Sequence, residues 1–291
     1  MEDIKIIQFA DKTFPKLLKE INDPPKQLYA RGNINLLNNH NLLAVVGSRK
    51  ASTYGKQCID LLLPQVIRQG IVIVSGLAYG IDSLAHKAAV AEKQPTIAVL
   101  GTGIDDKSIY PRAHFKLAQE ILQYGGLIIS EYSPGTPAMK HQFPARNRIV
   151  AGISQATLLV QAAEKSGSLI TGRLALEYNR DVAAVPGNIT DPLSAGTNDL
   201  ISHGAIPVSK PEDILLLYKI IPGSKEAASS TGSLNDDQLQ LFNTLEAKPR
   251  HIEDLIVAIQ KPSHEVSRLL IELELSGHIQ HLGGMKYIRK S

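Results

Sequence analysis

Six short, almost uninterrupted apolar runs dominate this chain: Leu42–Val46, Ile71–Val74, Thr96–Leu100, Leu127–Ile129, Ala156–Val160 and Val182–Val185. Stretches with helical spacing of apolar residues lie between them, such as Ser83–Ala91, Ala113–Gln123 and Leu169–Tyr178. A strand that is apolar on both sides needs cover on both faces, and helices alternating with such strands supply it. The pattern therefore predicts a Rossmann-like, doubly wound, mostly parallel α/β sheet with right-handed crossovers.

Four domain segments follow from the punctuation. Residues 1–40, broken by Phe14-Pro15 and Pro24-Pro25, read as a short lead-in strapped onto the core. Residues 41–220 carry the alternating pattern. Residues 221–232 are small and polar, the composition of a linker. Residues 233–291 predict a capped first helix (Asn235 with Gln238), a second over Ile252–Ile259, and a third from about Ser263 to Leu275. The dipeptide Gly283-Gly284 then reads as a hairpin turn. Three helices and a hairpin outline a small C-terminal winged-helix domain.

Four core strands run directly into small-residue loops: Gly47-Ser48-Arg49, Ser75–Asp82, Gly101-Thr102-Gly103 and, after Val160, Ser166-Gly167-Ser168. In a parallel sheet such loops emerge together at the carboxyl edge. Glycines allow close backbone approach there, and helix N-termini direct N–H groups at an anion. Tight turns alone also call for glycine. No dinucleotide or Walker A fingerprint occurs, so neither NAD nor a nucleoside triphosphate is expected, and no cofactor is assigned.

The stretch Lys140–Arg148 (Lys-His-Gln-Phe-Pro-Ala-Arg-Asn-Arg) is the densest basic segment and reads as a loop. Its cations suit phosphates, and a ring at Phe143 suits stacking on an unpaired base. Two bland readings stand beside this one: Phe143 as a core anchor, and Arg146 or Arg148 paired with a carboxylate such as Glu131. The net charge of +3 permits a nucleic-acid partner without demanding one. The single cysteine, Cys58, excludes an internal disulfide or a multi-cysteine zinc site. No apolar run is long enough to span a bilayer and the N-terminus has no signal-peptide pattern, so a cytoplasmic protein without a membrane segment is expected.

Several motifs resemble those of the DNA-processing protein A family, also called Smf. They include Val46-Gly47-Ser48-Arg49 with Ser52 and Tyr54-Gly55, Ser75–Asp82 with Ala85-His86, Tyr110-Pro111, Phe143–Arg148, Ser166–Thr171 and Gly196-Thr197-Asn198. The similarity runs from about Pro15 to Pro207. It implies a homodimer that binds single-stranded DNA, aids recombination in natural transformation and helps load a RecA-type recombinase. The implied DNA-contacting residues are Arg49 and Ser52, then Lys140, Phe143 and Arg146, with the Ser166–Ser168 turn on phosphate. Gly47, Ser48 and Asn147 complete the expected interface. Gln161 departs from the usual glutamate, Gly172 departs from an alanine, and the lead-in is too short for the N-terminal helical module of many relatives.

Phosphoribohydrolases resemble the same core and supply a rival reading. Their catalytic glutamate falls at Thr171 here, so catalysis is not expected. Asp82 and His86, at i and i+4, read as a helix cap and a singly hydrogen-bonded buried histidine. Residues 233–291 carry seven cations against eight carboxylates, and the third helix sets Glu265, Glu272 and Glu274 against Arg268. That is a poor duplex reader, and a protein-contact role is expected.

Overall fold

The computed structural model describes residues 4–220, 236–245, 249–275 and 278–289. They divide into two compact units, Met1–Ile220 and Ile221–Ser291. The linker read at 221–232 and the cap at Asn235 lie outside the described residues.

The first unit is built on nine strands: β1 (Ile4–Gln8), β2 (Gln27–Gly32), β3 (Leu42–Val46), β4 (Val72–Ser75), β5 (Thr96–Leu100), β6 (Leu127–Ser130), β7 (Ala156–Leu159), β8 (Asp181–Ala184) and β9 (Ile206–Pro207). They form one sheet in the order β1-β2-β6-β5-β4-β3-β7-β8-β9. From β6 to β9 every neighbouring pair is parallel. Side chains alternate between two buried faces, as the unbroken apolar runs require. Leu42, Ala44 and Val46 pack on one face, Leu43 and Val45 on the other. Helices α2 (Thr53–Arg68) and α3 (Ile81–Ala91) cover the second face through Ile59, Leu63, Val66, Ile81 and Ala85, and α4 (Phe115–Gln123) packs Leu117, Ala118 and Ile121 with Ala98 and Ile128.

The lead-in is part of the sheet rather than a strap upon it. After the short helix α1 (Lys16–Lys19), β2 pairs antiparallel with β6, from Tyr29 opposite Ser130 to Gly32 opposite Leu127, and β1 pairs with β2. Without them β6 would present an open edge of unpaired backbone groups.

The topology fixes where a ligand can enter. The chain lays β4, β5 and β6 on one side of β3, then returns to lay β7, β8 and β9 on the other. The loops after β3 and β7 therefore diverge, and a crevice opens between them at the carboxyl ends.

The second unit has helices at Asp236–Thr244, Ile252–Ile259 and Ser263–Leu275 around a core of Leu241, Leu255, Val266, Leu269, Leu270 and Leu273. Its hairpin, Ile279–His281 with Lys286–Arg289, is joined by a third strand at Arg250–His251. This is a winged helix. The hairpin loop is wider than a two-residue turn: Gly283, Gly284 and Met285 all have positive φ, and Leu282 N–H donates to the Lys286 carbonyl at 2.9 Å.

One buried side chain has a stability signature. His86 on α3 is fully buried. The Thr96 hydroxyl donates to the Ile73 carbonyl (2.7 Å), so its oxygen accepts from Nδ1–H of His86 (2.9 Å). Burial holds His86 neutral, its pKa pushed down to about 3. A folded-state pKa below the unfolded one means that the unfolded chain binds the extra proton as pH falls from about 6.5 towards 3, and stability is lost in that window. Between pH 7 and pH 5, urea unfolding of the native protein should lose about 2 kcal/mol more than that of His86→Asn. Equal losses would show that His86 is not the group responsible.

Candidate nucleic-acid interface

The crevice is built from three segments. At the end of β3 the chain turns through Gly47, Ser48 and Arg49 and enters α2. Ser52 caps that helix, its hydroxyl accepting from Gly55 N–H at 3.3 Å. Ser48 N–H donates to the Gln161 carbonyl at 2.7 Å, and Ile81 N–H to the Ser48 carbonyl at 3.1 Å. The fully buried Gln161 side chain accepts from Ser52 N–H at 3.0 Å and donates to the Ser52 hydroxyl at 2.8 Å. Pinned at both ends, the loop presents Arg49 and Lys50 to solvent.

Beyond β7, Ser166 caps helix α6 (Gly167–Glu177), its hydroxyl accepting from Ser168 N–H at 3.3 Å. A Cβ at Gly167 would meet open space, so the backbone of this first turn is reachable at Gly167, while the N–H groups of Ser166 and Leu169 are engaged by the carbonyls of Ala163 and Ser166.

The third segment corrects the expectation of a basic loop. Only its start is a turn; Gln142–Ile153 form helix α5. Pro144 stands in the first turn, where an intrahelical N–H is not needed. The helical period then sorts the side chains. Phe143, Arg146 and Asn147, at i, i+3 and i+4, face the crevice, while Arg148 turns away. Arg148 donates to both Glu131 oxygens at 2.8 and 2.9 Å and lies 3.3 Å from Asp23, as the bland reading had it.

These segments enclose a crevice of about 510 Å³. It gathers Gly47, Ser48, Arg49, Phe143, Arg146, Asn147, Ser166, Gly167 and Ser168, nine of the eleven residues singled out from the sequence. Ser52 does not line it and serves as the helix cap. Lys140 is exposed outside the lining, three residues before Phe143. Arg146 does not project as a clamp. It is 4% exposed, forms the floor, and donates to the carbonyls of Gly76 (2.8 Å) and Val99. Lys50 and Lys165 join the rim although the sequence reading had not selected them; isolated cations carry no pattern until the topology brings their loops together.

Beneath the rim the charges are balanced. The buried Asp82 carboxylate accepts from Gly76 N–H at 3.1 Å. Burial pushes its pKa up and the Arg146 charge opposes that rise; burial likewise pushes Arg146 down, against Asp82. At the rim no carboxylate forms an ion pair with Arg49, Lys50, Lys140 or Lys165 among the described residues. Phe143 is half-buried, with the Arg49 guanidinium 5.7 Å above its ring centre.

The glycines of the other two loops have structural duties, although Ala78 and Asp82 of the second loop do line the crevice. Gly101 backs the Phe143 ring, and Gly101–Gly103 contribute nothing to the lining. Gly76 leaves room for the Arg146 guanidinium, and Gly80 (φ 75°, ψ −128°) lies directly against the Ser48–Arg49 backbone. The hydrolase glutamate position is Thr171, buried in the lining, and Asp82 is the sole carboxylate among the lining residues.

Residues 5–219 match the family model of DNA recombination-mediator protein A, and residues 225–285 match the DprA winged helix domain. The chain belongs to the DNA recombination-mediator protein A family. It is 42% identical to the DNA processing protein DprA of Bacillus subtilis over 73% of this chain and 71% of that protein. It is 39% identical to protein Smf of Escherichia coli over 96% of this chain and 76% of that protein. Among solved structures, DprA of Streptococcus pneumoniae superimposes with a TM-score of 0.69 at 41% identity, covering 74% of each chain. DNA processing protein A of Helicobacter pylori, solved for its single-stranded DNA binding mode, gives 0.67 at 34% identity over 75% of this chain and 96% of that one.

Within this DprA fold, Gly80 sets the position of Arg49. A Cβ there would stand 2.7 Å from the Arg49 carbonyl group, at a backbone conformation open essentially to glycine. Gly80→Ala is expected to cost about 1–3 kcal/mol in calorimetric stability and to shift the amide resonances of Ser48 and Arg49. Unchanged resonances would separate Gly80 from the loop.

Proposed function

We propose that this protein binds single-stranded DNA in the switch-point crevice, without catalysing a reaction on it, and passes the strand to a RecA-type recombinase. The observation that carries the reading is the rim of Arg49, Lys50 and Lys165 over the Ser166–Ser168 turn that opens helix α6, with Phe143 beside it. Cations and the positive N-terminal end of a helix take phosphates, and the ring accepts a base of any identity. The Helicobacter pylori relative, studied for its single-stranded DNA binding, supports the same ligand. Recombination mediation follows from the family, and we extend it to a homodimer acting in the cytoplasm, where DNA is processed. No helix among the described residues is long and apolar enough to cross a membrane.

We assign the winged helix to protein contact rather than duplex reading. The cations around its third helix serve its own carboxylates: Lys261 reaches Asp237 at 2.7 Å and Glu265 at 3.7 Å, and Arg268 reaches Glu272 at 3.6 Å. Arg289 lies over the Phe242 ring at 4.0 Å.

Anisotropy titrations with oligothymidine and with duplex at several salt concentrations test the proposal. Strand should be preferred over duplex. Arg49→Ala should weaken binding roughly tenfold and lower the salt slope by about one. Lys286→Glu on the winged helix should leave strand binding unchanged. A duplex preference, or release of free base from a nucleoside monophosphate, would refute the reading.

A further inference from the structure

We propose that Tyr110 is a second base-stacking platform, and that a bound strand leaves the crevice past Phe143 and over the Tyr110-Pro111 turn. The inference rests on the single-strand reading of the crevice and extends it beyond the crevice lining. Tyr110 belongs to the long connection after β5, whose Gly101–Gly103 start contributes nothing to that lining. Tyr110 is 47% exposed, and its ring centre lies 5.6 Å from that of Phe143 at an interplanar angle of 40°. Arg49 lies over the same Phe143 ring at 5.7 Å. A cation, a half-buried ring and an exposed ring thus form one continuous series of contacts, beginning in the crevice and ending outside it.

The connection is held in place before any ligand arrives. Gly103 N–H donates to the Thr136 carbonyl at 2.9 Å, and one Asp105 oxygen accepts from Gly135 N–H at 2.6 Å while the other accepts from Ser108 N–H at 3.2 Å. The Arg112 guanidinium donates to the Asp106 carbonyl and lies 4.3 Å over the Phe115 ring. A platform fixed in advance loses little entropy when a base settles on it. The chemistry also selects the ligand. A base can lie on either ring only when its own face is not covered by stacking in a duplex, so an unpaired strand suits these rings.

The chain contains no tryptophan, so Tyr110→Trp installs one fluorescent indole at the proposed contact. Thermal unfolding of this full-length variant establishes that it folds. Saturating oligothymidine should quench its emission, and oligomers too short to pass Phe143 should bind, by anisotropy, with no quenching. Tyr110→Ala should weaken the longer oligomers roughly tenfold with the salt slope unchanged, because no cation is lost, and Tyr110→Phe should bind like the native protein. Unchanged emission at saturation with long oligomers, or native affinity in Tyr110→Ala, overturns the platform. If Arg49→Ala weakens binding while Tyr110→Ala does not, only the platform falls. If neither variant weakens it, the single-strand reading falls with it.

Discussion

The crevice depends on one buried amide. A topological switch point drives the loops after β3 and β7 apart, and the sheet's own hydrogen bonding between these two strands ends at Val160 N–H on the Val46 carbonyl, before either loop begins. Gln161 ties the first loop to the second with three hydrogen bonds, one through its backbone carbonyl to Ser48 and two through its side chain to Ser52. The side chain acts as donor and acceptor at once, which an ionised glutamate could not do. Its room comes from the neighbouring glycine: Gly55 has no Cβ because the Gln161 amide fills that space, and a Cβ at Gly47 would sit 2.9 Å from the Gln161 carbonyl oxygen. A buried hydrogen-bonded group is costly to leave unsatisfied, so the loop is held firmly. Arg49 is thereby an exposed side chain on a rigid base, which is what positioning a charge beside an anion requires.

This arrangement explains what was legible in the sequence and what was not. Unbroken apolar runs can only be strands covered on both faces, so the parallel sheet and its ligand edge could be read directly. The two lead-in strands could not: Leu28 and Ala30 are the only fully buried positions of β2, and the surrounding prolines mask their alternation. Lys140–Arg148 reads as a loop from the sequence, where it follows a turn-rich segment and contains Pro144. Proline in the first turn of a helix does not interrupt it, and the 3.6-residue period separates two neighbouring arginines into opposite environments. Arg148 becomes an ion-paired strut and Arg146 becomes the floor. Most of the site was visible as residue types, but its depth order was not, because that order is set by a helix phase no single residue reveals.

The floor has its own electrostatic logic. Arg146 gives hydrogen bonds to two backbone carbonyls, and Asp82 receives one from Gly76, so both buried charges are held by dipoles as well as by each other. A buried pair of this kind adds little net stability, since desolvation offsets attraction, but losing one partner would strand the other. For a ligand the pair nearly cancels at a distance. The field felt by a phosphate comes from Arg49, Lys50 and Lys165 above, which favours an anion at the rim over one at the bottom. A backbone lying along the rim leaves its bases free to turn towards Phe143.

The winged helix meets solvent in the opposite way. Lys261 and Arg268 are engaged by carboxylates of the same unit, and its exposed apolar residues, Val257 at 75%, Ile271 at 55% and Met285 at 61%, are unlike a surface shaped for phosphates. Exposed apolar side chains among balanced charges suit contact with another protein, where their burial contributes and salt has little effect. Under the proposed function the two units answer ionic strength differently, the crevice through counterion release and the winged helix hardly at all. This division is useful under that function, because the two contacts can be strengthened or weakened independently.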